Sequence, residues 1–108
     1  MFASIYVTVS SEDEGKDIAK KLLEQRLIAC ANLFPINSIY YWENKLQEDI
    51  EFAIIMKTRS ELIDRLIVEL KKIHSYDIPC IVSWPIEKGN REYLNWVKEE
   101  TMEQKIQD

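Results

Sequence analysis

Polar and apolar residues alternate from Ser4 to Val9, with Ile5, Val7 and Val9 on one side, which predicts a half-buried strand. The period then lengthens. Ile18, Ala19, Leu22 and Leu23 recur at helical spacing, with Leu27 one turn further on. Ser11 stands three residues before Glu14, the spacing of a capping box, and sets the start of this helix. Glu12, Asp13 and Glu14 fall in its first turn and Lys20, Lys21 and Arg26 near its end, as the helix dipole favours. Gly15 lies inside it, at a cost of up to about 1 kcal/mol relative to alanine.

The apolar and aromatic stretch from Ile28 to Trp42 reads as a second strand, Glu43-Asn44-Lys45 as a turn, and residues 46–57 as a third strand. Asn44 tolerates positive φ where glycine is usual. Pro35 has no N–H to donate and predicts an edge strand or a bulge. Thr58 and Glu61 repeat the capping-box spacing ahead of Leu62, Ile63, Leu66, Ile67, Leu70 and Ile73, the widest apolar stripe in the chain. Residues 74–77 connect to a short strand from Ile78 to Trp84, and Pro85 to Gly89 turn the chain. Asn90 caps a last helix carrying Tyr93, Leu94 and Val97, with a polar tail from Glu99 that frays. No repeat, linker or low-complexity segment breaks the 108 residues into parts. The order β-α-β-β-α-β plus a terminal helix predicts a single α+β domain, 1–108, of the ferredoxin-like type. Such a domain has one antiparallel sheet with both main helices on one face.

The second and third strands imply partners. Fifteen residues from Ile28 to Trp42, at roughly 3.3 Å each, extend about 45–50 Å if straight. A globule of this length has a radius of gyration of about 13 Å, hence a diameter near ~35 Å. The hairpin tip should project unless Pro35 folds the strand back over the sheet. Ile39, Tyr40, Tyr41 and Trp42 are consecutive, so apolar or aromatic groups face both sides of that tip. A free edge of this kind aggregates, and pairing with another copy in a closed oligomer protects it. Tyr40, Tyr41 and Trp42 are the expected interface.

Composition narrows the function classes. Hydrophobic residues make up 46% and charged residues 31%, an ordinary globular balance. The net charge of −5, with 19 acids against 14 bases, predicts neither nucleic-acid nor anionic-membrane binding. No window approaches the roughly 18 uncharged apolar residues of a membrane span. Cys30 and Cys80 form no CxxC pair, and the segment from Met1 to Ile5 lacks the pattern of a signal peptide. A cytoplasmic, reducing location is the expectation.

With these elements placed, the local motifs resemble the CutA (divalent-cation tolerance) family. The resemblance is carried by Ala29-Cys30-Ala31-Asn32, by Ser38-Ile39-Tyr40-Tyr41-Trp42-Glu43-Asn44-Lys45 with Lys57-Thr58, and by His74-Ser75-Tyr76-Asp77-Ile78-Pro79. Pro85-Ile86, Gly89-Asn90, Tyr93-Leu94 and Trp96 continue it in order along nearly the whole chain. The resemblance implies a ferredoxin-like protomer in a homotrimer joined through sheet edges by the long hairpin. It implies a non-enzymatic role in tolerance of divalent metals, with copper or another divalent cation as the bound species. The family is similar in architecture to the PII signalling proteins, which bind small effectors between subunits. Three positions depart from the family pattern. Val9 stands where some relatives carry a copper-associated cysteine, Ser75 where a proline is common, and Cys80 where an acid is common. The sulfur of Cys80 favours Cu(I) over harder cations.

Candidate chemistry is sparse. His74, the single histidine, is a candidate metal ligand or a structural hydrogen-bonding group, with no HxH, HxxE or CxxC spacing around it. Cys30 and Cys80 are weaker candidate ligands, since a small hydrophobe in an apolar strand is the default reading of each. Trp42, Trp84, Trp96, Tyr76 and Tyr93 either line a cleft or pack core and interface. Lys57 and Arg59 flank the second main helix, where its free amides favour an anion. This is the basis of an alternative, PII-like reading with a small anionic effector between subunits. Catalysis is hard to build. One histidine makes no obvious triad, two glycines make no phosphate loop, and the acidic Ser10–Glu14 segment repels phosphate.

Overall fold

The central strand, β1 (Phe2–Val9), begins two residues earlier than its alternation required and buries Ala3, Ile5, Val7 and Val9 on one face. The computed structural model describes residues 1–102 and places β1 inside a sheet of order β2-β3-β1-β4. β2 spans Cys30–Trp42, β3 Lys45–Arg59 and β4 Ile81–Ile86, and every neighbouring pair is antiparallel. Met56, Ile54 and Phe52 of β3 stand opposite Ile5, Val7 and Val9. Helices α1 (Glu12–Glu24) and α2 (Ile63–Ile73) cover this face, adding Ile18, Leu22, Leu66 and Leu70 to one core. Among the described residues no helix is long and apolar enough to cross a membrane.

The start of α1 follows its sequence signal in part. Ser11 Oγ accepts from the Glu14 N–H at 3.1 Å, but the Glu14 carboxylate turns to Ser10 and not to Ser11. Gly15 lies close against the sheet. A Cβ there would lie 2.6 Å from Leu33 Cδ2 and 3.3 Å from Val9 Cγ2, so its absence lets α1 approach the sheet. The helix ends with Arg26 at φ 59°, a left-handed position usually given to glycine. Bonds from Arg26 N–H to Leu23 and from Leu27 N–H to Leu22, both 3.0 Å, close the end, and Leu27 is buried beneath it.

The hairpin runs straight. Glu43 and Asn44 both have positive φ, 50° and 64°, the two-residue turn whose twist suits paired strands. Pro35 lies on edge strand β2 opposite Phe52, and the ladder continues past it to Trp42↔Lys45. It does not fold the strand back. The molecule measures 54 × 33 × 21 Å with a radius of gyration of 15.1 Å, above the roughly 13 Å of a compact chain of this length. The arm therefore projects, as its length required.

Further boundaries differ from expectation. Thr58 does not cap a helix: β3 continues through Arg59, and the helix opens with a 3₁₀ turn at Ser60–Leu62 that lacks a side-chain cap. Thr58 is instead fully buried, its hydroxyl donating to the Leu27 carbonyl at 2.6 Å. The last strand starts at Ile81 and not at Ile78, and it includes Pro85, which an edge strand tolerates. Helix α3 (Arg91–Glu100), capped by Asn90 as read, continues through Glu99, and Thr101 after it is buried. Arg59 donates to the Thr101 hydroxyl at 2.9 Å and carbonyl at 2.8 Å, and Arg26 meets Glu100 at 2.7 Å. The expected frayed tail beyond Met102 lies outside the described residues.

Replacing Thr58 with valine keeps its shape and leaves the Leu27 carbonyl without a donor, a loss of about 1–3 kcal/mol. Urea unfolding at fixed protein concentration should show a lower midpoint with an unchanged slope, and Thr58→Ser should recover most of the loss. A valine variant with the wild-type midpoint would refute this role.

Candidate functional site

Side chains alternate across a strand, so one set of β1, β2 and β3 residues faces away from α1 and α2. Near the arm this set comprises Tyr6 and Thr8, then Ser38, Tyr40 and Trp42, then Asp49 and Glu51. The connection after α2 comes round the β4 side and adds Tyr76, Asp77, Ile78 and Cys80. Together they line an open cleft of about 660 Å³. Its charged lining residues are Asp49, Glu51 and Asp77, all acidic.

His74 sets the path of that connection. β4 begins only opposite Val7, and the His74 ring supplies a donor to the next carbonyl of β1: Nε2 donates to Thr8 O at 2.7 Å. Nδ1 accepts from the Tyr76 N–H at 3.0 Å, so both nitrogens are engaged within the chain. The Tyr76 ring lies 4.8 Å from the imidazole, and its hydroxyl donates to Glu51 Oε2 at 2.6 Å. Tyr40 makes a parallel bond to Asp49 Oδ2, also 2.6 Å. The Tyr76 phenol is held well above its ordinary range by burial, then by its bond to Glu51 and the nearby carboxylate charge. Tyr40 is raised chiefly by the bond to Asp49, and Tyr6 by burial and then by Cys80 and Glu51. These phenols remain hydrogen-bond donors at neutral pH.

Residues 3–100 match the family described as CutA1 divalent ion tolerance protein. The chain belongs to the CutA1 family. It is 50% identical over 95 residues to the divalent-cation tolerance protein CutA of Archaeoglobus fulgidus, covering 88% of this chain and 93% of that one. Protein CutA 1, chloroplastic, of Oryza sativa is 43% identical over 100 residues, covering 92% of this chain and 56% of that one. The solved structure of the periplasmic divalent cation tolerance protein CutA from Archaeoglobus fulgidus aligns with a TM-score of 0.92 at 47% identity. It covers 94% of this chain and 100% of that one. The Thermus thermophilus protein aligns with a TM-score of 0.90 at 42% identity, covering 94% and 100%.

Within this CutA1-family chain the sequence candidates disperse. Trp42, Tyr76 and Cys80 line the cleft. Trp84 lies against Tyr6, while Tyr93 and Trp96 pair on α3 with ring centroids 5.7 Å apart. Cys30 is half-buried beneath α3 and 3.1 Å from the Tyr93 hydroxyl, whose pKa burial and the thiol push up to about 12. It stands opposite Lys57, about 20 Å along β3 from Glu51. Lys57 donates to Asn32, and Arg59 is engaged by Thr101 and Glu61, so the two do not converge on an anion. Among the described residues no three His, Cys, Asp or Glu side chains are placed to hold one metal ion. The cleft carboxylates were overlooked in the sequence. Their signal was present, as two acids two residues apart inside a strand, on the same face as Tyr40 and Trp42 of its partner.

The connection is also anchored to α1, since the Ser75 N–H donates to Glu14 Oε2 at 3.0 Å. Partial burial opposes the Glu14 charge, but bonds from Ser75 and Ser10 outweigh it and hold the carboxyl below its ordinary range. A depressed folded-state pKa stabilises above the unfolded value, and that contribution is lost as pH falls through the folded value. The stability gap between wild type and Glu14→Gln should therefore be full at neutral pH and vanish in acid. A gap that stays constant from neutral to acid pH would contradict this linkage.

Proposed function

We propose that this chain works without catalysis, as a closed homotrimer joined through its hairpin arms, binding divalent cations stoichiometrically. The observation that carries the assembly is the far end of the arm. Ile39, Tyr41, Leu46 and Ile50 share the face that α1 and α2 cover nearer the body, but here they are exposed, Tyr41 by 74% and Ile50 by 75%. Tyr40 and Trp42 are exposed on the other face. Apolar strands of this kind, open on both faces, are normally covered by a partner. The number three comes from the family resemblance. Light scattering should return three times the chain mass of 12.8 kDa. Tyr41→Asp, at a side chain 74% exposed within its own chain, should lower that mass. A well-behaved wild-type sample at the single-chain mass would end the assembly reading.

Copper is the cation that the resemblance favours, and the described residues of one chain bring no three His, Cys, Asp or Glu side chains together to hold it. Donors from two copies are needed, and the geometry favours Cys80 over His74 among the candidates. Cys80 is exposed at the cleft, whereas His74 would have to release Thr8 or Tyr76. Cys30 is engaged with Tyr93. Calorimetric titration of metal-free protein with Cu(II), and separately with Cu(I), should show saturable binding at micromolar metal, weakened at least tenfold in Cys80→Ser. His74→Ala should lower thermal stability and leave the stoichiometry intact. Wild type with no saturable heat would end the metal reading, and loss in His74→Ala alone would return the role to the histidine. The alternative of an anionic effector has less support, because the cleft walls are acidic and Lys57 and Arg59 are engaged elsewhere.

A further inference from the structure

No further inference is drawn: the strongest candidate, the exposed apolar patch of Val82 and Trp84 on edge strand β4, is an unpartnered face, and nothing in the structure shows what covers it.

Discussion

The ladder between β2 and β3 is the constraint on which the rest of this protein depends. It runs without interruption from Cys30↔Lys57 to Trp42↔Lys45, while α1 and α2 roof only the part nearer β1. The pairing of β2 with β3 continues along its whole length, so the arm holds its form beyond the core that started it. Its side chains are not all satisfied. Where the roof stops, the same alternation that buried Met56 and Ile54 leaves Ile50 and Leu46 facing outward. One regular feature, extended past its cover, produces both the exposed apolar arm and the acidic floor of the cleft.

The cleft is a consequence of how the chain leaves α2. Three bonds fix that connection, and each reaches a different element. His74 reaches β1, Ser75 reaches α1 and Tyr76 reaches β3. Fastening one loop to helix and sheet together makes the cleft wall part of the domain body. Among the described residues Asp49 and Glu51 are bonded to phenols and take part in no ion pair, which gives the cleft a negative field.

The terminal helix is held by bonds at the end of the sheet distant from the arm. Arg26, in its left-handed position, reaches Glu100, Arg59 reaches Thr101, and Cys30 reaches Tyr93. Exposed ion pairs contribute little individually. The two bonds from Arg59 to Thr101 matter more, because Thr101 is buried and its hydroxyl and carbonyl both need partners.

Local periodicity was enough to place every main element, because strands and helices here bury one face each and write that requirement into spacing. Strand length was equally legible, and with it the projecting arm, since rise per residue is a fixed quantity. Capping-box spacing at Thr58 misled, because a buried strand end and a helix start use the same residue types. Gly15 could be read only as a cost until Leu33 and Val9 were seen beside it. The cleft was beyond a linear reading: Glu51 meets Tyr76, and His74 meets Thr8, across 25 and 66 residues of chain. The chain's own order of residues determined the elements, the hairpin and the family motifs, because these depend on neighbours a few positions apart. Only the tertiary structure decided which polar groups are left facing one another, because that depends on where the connection after α2 lands on the sheet.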